Sequence, residues 1–220
     1  MKTTFHWETT GTMTRWKRTR TWHMSLLLIA VAFVLASCPA PGGEGCGGVD
    51  AFVSCVRILS IQPTSTAGGD SSDVDVIQTP DCDGDPTTFD AELFTKHDAI
   101  ITFANDPFPT ADDALPVTIQ SFTVTYSLAH CPTGAVCPPL TGFSETVSLI
   151  IDVGGSTSGT FSFVPLSVKF EFVNSGGTTD AFPIYIANYT FTAETNAFED
   201  SFTIPGSASF VLGNFNLCTQ

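Results

Sequence analysis

The chain has 220 residues, of which 43% are hydrophobic and only 14% are charged, and its formal net charge is −14. After position 37 the imbalance is larger, because three basic residues stand against 21 acidic ones and give a net charge of −18. A surface this acidic repels nucleic acid and anionic phosphate groups, which excludes nucleic-acid binding as a function class. The low charge content, with many Gly, Thr, Phe and Val residues, is typical of an exported all-β domain rather than a cytosolic enzyme.

Residues 1–37 have the features of a cleaved export signal. Four basic residues lie between positions 15 and 20, and an apolar run of 13 residues follows at 24–36. That run is too short to cross a bilayer, which takes roughly 20 apolar residues in a helix. A positive region, a short apolar core and small residues before a cleavage point describe a secretory signal peptide. We therefore expect this segment to be removed.

Cys38 ends the leader in a sequence that predicts lipid attachment. Leu35-Ala36-Ser37-Cys38 has the lipobox pattern of a branched apolar residue, two small residues and a cysteine. The leader resembles those of bacterial lipoproteins, in which acyl chains on this cysteine hold the protein on the membrane. In that family an Asp after the cysteine favours the inner membrane, so the Pro39 found here implies the outer membrane. The alternative is an ordinary signal peptide with Cys38 in a disulfide.

The cysteine count favours lipid on Cys38, because the six remaining cysteines form an even set that predicts three disulfides in an oxidising compartment. The six are Cys46, Cys55, Cys82, Cys131, Cys137 and Cys218. Cys131 and Cys137 enclose five residues, a spacing that predicts a loop closure and not a redox pair. We expect Cys46 to pair with Cys55 and Cys82 with Cys218, although sequence alone leaves other connectivities open.

Residues 38–72 are expected to form a tether with one short strand, and residues 73–220 to form the folded domain. The Pro- and Gly-rich start of the tether, at 39–49, predicts a flexible spacer. Apolar residues of both parities between positions 52 and 61 predict the short strand.

Within the domain, alternating apolar and polar residues predict seven to nine short strands. The expected strands lie at 92–104, 115–128, 143–153, 161–163, 168–172, 182–195, 198–204 and 207–213. A change of parity at Gln120-Ser121 predicts a β-bulge. Pro205-Gly206 is among the expected turns, and no stretch has the periodicity and caps of a helix.

These strands predict an all-β fold, an antiparallel immunoglobulin-like β-sandwich that follows a cleaved lipoprotein signal peptide. A jelly roll and an open barrel are the alternatives. The segments VTIQSFTVTYSL and YTFTAETNAFEDSFTIPGSASFVLGNF resemble a group of uncharacterised bacterial lipoproteins with an immunoglobulin-like or fibronectin-like sandwich. The resemblance covers residues 73–217, implies the fold and the anchored location, and supplies no active site.

An acidic turn is the sharpest candidate for a ligand site. Asp81, Asp83 and Asp85 occupy every second position of a short turn that contains Gly84, and their hard oxygen ligands suit Ca²⁺. Asp90 and Glu92 follow closely enough to complete a coordination shell. The spacing departs from that of an EF-hand loop, and the alternative is a solvated turn pinned by a disulfide.

Catalysis has little support in the sequence. The chain after position 37 contains two histidines and lacks the nucleophile-elbow, zinc-helix and phosphate-loop motifs. Asp112-Asp113 is expected to lie in a solvated loop, and Asp152 is expected to face water because its parity opposes that of its apolar neighbours. A hydrolase built from scattered acids is the remaining enzyme hypothesis.

The sequence therefore predicts a non-enzymatic protein of the bacterial cell envelope, anchored in a membrane by lipid on Cys38 and acting on an unidentified protein partner by contact or adhesion. The alternative is a calcium-dependent binding module that uses the Asp81–Asp85 turn.

Overall fold

The computed structural model describes residues 54–64, 72–85, 87–107, 115–195 and 198–218. The chain divides into two compact units, Met1–Pro41 and Gly42–Gln220, and every described residue belongs to the second unit. Cys38, Cys46 and the Asp112-Asp113 pair lie outside the described residues.

The described part of the chain is all-β apart from one short α-helix and one 3-10 turn, as the strand patterns predict. The strands are β1 (Ser54–Thr64), β2 (Asp73–Asp75), β3 (His97–Pro107), β4 (Val117–His130), β5 (Phe143–Ile151), β6 (Ser156–Val164), β7 (Ile184–Thr195) and β8 (Phe198–Gly213). The helix, α1, spans Leu166–Asn174, and the 3-10 turn spans Thr179–Ala181.

In the described residues the strands form two sheets. The three-stranded sheet has the order β1-β3-β6, and the five-stranded sheet has the order β2-β8-β7-β4-β5. Neighbouring strands are antiparallel except β2 and β8, which run parallel and so depart from the expected all-antiparallel arrangement. β4 shifts register between Ile119 and Ser121 against both of its neighbours, which confirms the predicted bulge.

The register defines two ends of the domain. β1 begins beside the end of β3, where Ser54 pairs with Pro107, and we call this end the N-terminal pole. At the opposite end His97, which opens β3, pairs with Val164, which closes β6. α1 follows β6 there and leads to the start of β7, so we call this end the helix pole. The connection between β2 and β3 and the segment after β8 also lie at the helix pole.

A layer of phenylalanine rings joins the two sheets. Phe103 and Phe161 of the three-stranded sheet contact Phe191 of the other sheet at centroid distances of 5.0 and 5.2 Å, and Phe161 lies 5.4 Å from Phe122. All four rings are buried and meet edge to face, the geometry that aromatic pairs prefer. This layer holds the two sheets together. Tryptophan does not contribute to it, because all three tryptophans of the chain lie before position 23.

The strand predicted at 168–172 is wrong, because these residues belong to α1. Five alternating residues fit both the strand period of two and the helix period of about 3.6, since Val168 and Phe172 are four apart and share one face of a helix. The helix begins directly after Pro165, which has no side-chain capping bond, and its first turn carries no acid. The usual start signals of a helix are therefore missing from the sequence.

The turn predicted at Pro205-Gly206 is also wrong, since β8 runs through it without a break. Pro205 lacks an N–H, which a strand tolerates where one edge is unpaired. β8 pairs there with Thr190 of β7, while β2 pairs only with residues 211–213. A Cβ at Gly206 would lie 2.6 Å from the Cδ1 of Ile58, so the glycine lets β1 pack close to β8.

The predicted domain boundary at position 73 separates β1 from the strand with which it pairs. It leaves β1 in the tether, whereas the structure pairs β1 with β3 from Ser54 to Thr64. β1 is therefore part of the three-stranded sheet of the described domain.

Candidate functional site

The predicted acidic turn lies at the helix pole and binds its own backbone. The Oδ1 atoms of Asp81 and Asp83 accept hydrogen bonds from the N–H groups of Gly84 and Asp85, each at 2.8 Å. Asp85 Oδ1 accepts from the N–H and the hydroxyl of Thr87 at 2.9 and 2.7 Å. These bonds to Thr87 lower the pKa of Asp85. The turn is thus ordered by its own side chains.

The carboxylates that the structure brings together differ by one residue from the predicted set. Ligand atoms of Asp81, Asp83 and Asp90 all lie within 4.8 Å of one another. Asp85 is not in this group, and its Oδ1 is hydrogen-bonded to Thr87. Asp90 also accepts a hydrogen bond from the N–H of Cys82 at 3.1 Å, which draws it toward the turn.

Two of the three predicted disulfides are confirmed. Cys82 bonds to Cys218 with a Cα–Cα distance of 5.4 Å, and Cys131 bonds to Cys137 with a distance of 6.0 Å. Cys55 is disulfide-bonded, but its pairing with Cys46 stays a prediction because Cys46 lies outside the described residues. Asp152 is exposed, as its parity predicts.

A set of buried ionisable residues, which the sequence did not predict, lies at the same pole. Asp75, Glu92, His97 and Lys169 come from β2, the β2–β3 connection, β3 and α1, and each is at most 5% exposed. We call these four residues the buried charge cluster. Burying a charged group is costly unless partners compensate for the lost water. In the structure Asp75 Oδ2 and His97 Nε2 have no hydrogen-bond partner among the described residues.

The carboxylates of the cluster bind the segment that follows β8. Glu92 accepts hydrogen bonds from the N–H groups of Leu217 at 2.7 Å and Thr79 at 2.9 Å. Asp75 Oδ1 accepts from the N–H of Phe215 at 3.0 Å. Two segments more than 120 residues apart in sequence are thereby joined at the helix pole.

Lys169 faces these carboxylates from α1. Burial lowers the pKa of the Lys169 amine to about 8, and the negative charges of Asp75 and Glu92 oppose that shift. The Nζ atom lies 4.6 Å from the centre of the Phe94 ring, a cation–π contact. Burial also raises the pKa of Asp75 to about 6, and nearby Glu92 contributes in the same direction.

Because α1 turns Lys169 inward, it turns an apolar face outward. Leu166, Phe170 and Val173 are spaced as neighbours along one side of the helix and are 36%, 52% and 36% exposed. We call these three residues the outer face of α1. Phe170 also packs on Phe94, at a centroid distance of 6.1 Å, and Leu93 beside Phe94 is exposed.

The two features differ in what they can do chemically. The buried charge cluster is closed to substrates, and its oxygens bind backbone N–H groups, so it holds the helix pole together. The outer face of α1 and the acidic turn are accessible and can meet a partner. Among the described residues no helix is both long enough and apolar enough to cross a bilayer.

Comparisons with known proteins give no family. No protein-family model matches the chain, and no curated protein matches it. A crystal structure of a protein from Archaeoglobus fulgidus is similar over 70% of this chain and 96% of that chain, with 10% identity and a TM-score of 0.34. That TM-score is too low to carry an argument about fold or function.

The His97 side chain predicts a measurable pH dependence. Burial lowers its pKa to about 4, and the Lys169 charge contributes in the same direction while Asp98 opposes it. As the pH falls from 6.5 to 4, the unfolded chain takes up a proton at His97 before the folded chain does, so stability is lost. Asp75 acts oppositely, since its raised pKa lets the folded chain take up the proton first between pH 6 and 4.

We therefore expect His97→Gln to become more stable relative to the parent chain as the pH is lowered from 7 to 5. Asp75→Asn should become less stable relative to the parent over the same interval. Thermal melts of the three chains at each pH measure both differences. Parallel pH profiles for all three would show that neither group has a shifted pKa in the folded protein.

Proposed function

We propose that this chain is a lipid-anchored protein of the bacterial cell envelope whose immunoglobulin-like domain acts without catalysis, by contact with another protein. The observation that carries the proposal is the outer face of α1. Contiguous apolar side chains left exposed on a domain mark interaction sites. The domain has a large aromatic core available, so exposure of Phe170 is not explained by a lack of places to bury it.

The strand order supports the immunoglobulin-like part of the proposal. β1, β3 and β6 correspond to strands A, B and E, and β4, β5, β7 and β8 correspond to C, C′, F and G. β2 then takes the place of a continuation of strand A beside strand G, which accounts for its parallel pairing. α1 fills the E–F connection, and no D strand is present among residues 115–195.

The position of the outer face suits a protein held at its N-terminus. β1 begins at the N-terminal pole, and an anchor on Cys38 would reach the domain through the residues before it. α1 lies at the other pole. The outer face of α1 therefore lies at the end of the domain opposite the start of β1 and is open to a partner.

A photoreactive phenylalanine analogue at residue 170 tests the contact function. We expect covalent adducts with a discrete partner in intact cells, because the outer face would be covered there. The matched control is the same analogue at Ile150, which is 55% exposed but lies on β5 near the N-terminal pole. No adduct at 170, or equal adducts at both positions, would contradict the proposal.

The anchor has a separate test. Cys38→Ala should move the protein from the membrane pellet to the soluble fraction, since the acyl chains supply the membrane affinity. Ser37→Ala keeps a small residue before the cysteine and should stay with the membranes. If Cys38→Ala still sediments with membranes, lipid on this residue is not the anchor.

The second candidate is a calcium-dependent binding module, which the grouping of Asp81, Asp83 and Asp90 favours. A ligand at 100 times its dissociation constant adds about 2.7 kcal/mol to the stability of the folded state. We expect a higher melting temperature with calcium than with chelator, and loss of the difference in Asp90→Asn.

Asp85→Asn is the control for calcium. Asp85 lies outside the group formed by Asp81, Asp83 and Asp90, so this variant should leave the calcium effect intact. Superimposable melts of the parent chain with and without calcium would remove this candidate.

A further inference from the structure

The outer face of α1 lies on an acidic end of the domain. Besides Asp98, which pairs with Lys96, the acidic residues of the helix pole outside the buried charge cluster include Asp81, Asp83, Asp85, Asp90, Glu171 and Asp180. Among the described residues of this pole, Lys169 is buried and Lys96 is exposed, and Lys96 pairs with Asp98 at 3.0 Å. The apolar face is thus accompanied by negative charge with little positive charge to offset it.

We infer that the outer face of α1 binds a cationic amphipathic segment of a partner protein, one that presents apolar side chains flanked by Lys or Arg. This inference rests on the proposed contact function and names the chemistry of the partner. Apolar side chains of the segment cover Leu166, Phe170 and Val173, and its cations meet the acids of the helix pole. Complementary charge of this kind sets partner choice and speeds association.

The other occupants of such a face fit less well. A second copy of the chain would bring two acidic poles together, and like charges across an interface oppose association. An anionic membrane surface would be repelled for the same reason. A neutral apolar segment would cover the outer face but leave the acids unmatched.

The test uses three synthetic amphipathic peptides that share one apolar stripe and carry Lys, Glu or Gln at the remaining positions. The full chain is held in discs of zwitterionic lipid, empty discs are subtracted, and chelator is present so that calcium does not compete for the acids. We expect the Lys peptide to bind most tightly, and its affinity to fall as salt screens the charges.

Two variants locate the binding site. The double variant Leu166→Ser with Phe170→Ser should lower the affinity for the Lys peptide by about tenfold or more. Ile150 is an exposed apolar residue elsewhere, so Ile150→Ser should bind the peptide as the parent chain does. Asp83→Asn with Asp85→Asn keeps the hydrogen-bond acceptors of the turn and removes two charges. This variant should lower the affinity for the Lys peptide and leave the affinity for the Gln peptide unchanged. It keeps the test valid if the serine variant folds poorly.

Equal binding of the Lys and Glu peptides, or unchanged binding by the serine variant, would overturn the inference. The inference would also be overturned if the chain formed a dimer that Phe170→Ser dissociates, because the outer face of α1 would then be covered by a second copy. These failures are distinct from failure of the contact function, which the absence of adducts at residue 170 in cells would show.

Discussion

The inward orientation of Lys169 is the constraint on which the helix pole depends. The residue is 2% exposed, its amine lies 4.6 Å from the centre of the Phe94 ring, and Asp75 and Glu92 supply negative charge that favours the protonated form. A buried ammonium of this kind is stable only while its partners stay in place. The same carboxylates bind backbone N–H groups after β8, so one set of charges fixes α1, the β2–β3 connection and the C-terminal segment together.

The orientation of the helix decides what the domain presents to its surroundings. With Lys169 inside, α1 leaves Phe170 half exposed at a pole that also carries acidic residues, so the pole combines apolar area with negative charge. The one α-helix in the described part of the domain thus buries a cation on one side and exposes apolar side chains on another.

Local patterns in the sequence predicted much of the fold. Alternation of apolar residues predicted the strands and the bulge in β4, and the short spacing of Cys131 and Cys137 predicted their disulfide. The Cys82–Cys218 disulfide was the expected pairing, but the sequence left other connectivities open. The helix was missed because five alternating residues fit two periods. The buried charge cluster was missed because charged residues in isolation are expected to face water. Asp75 and Lys169 meet only after segments 94 positions apart have packed, which no local pattern records.

Chemical modification of lysines in the folded protein tests the orientation of α1 most directly. After position 37 the chain has two lysines, and Lys96 has a side chain that is 56% exposed. An amine-acetylating reagent, read out by mass spectrometry of each lysine peptide, should modify Lys96 quickly and leave Lys169 unmodified until the protein unfolds. Modification of Lys169 in the folded chain at the rate of Lys96 would contradict the account.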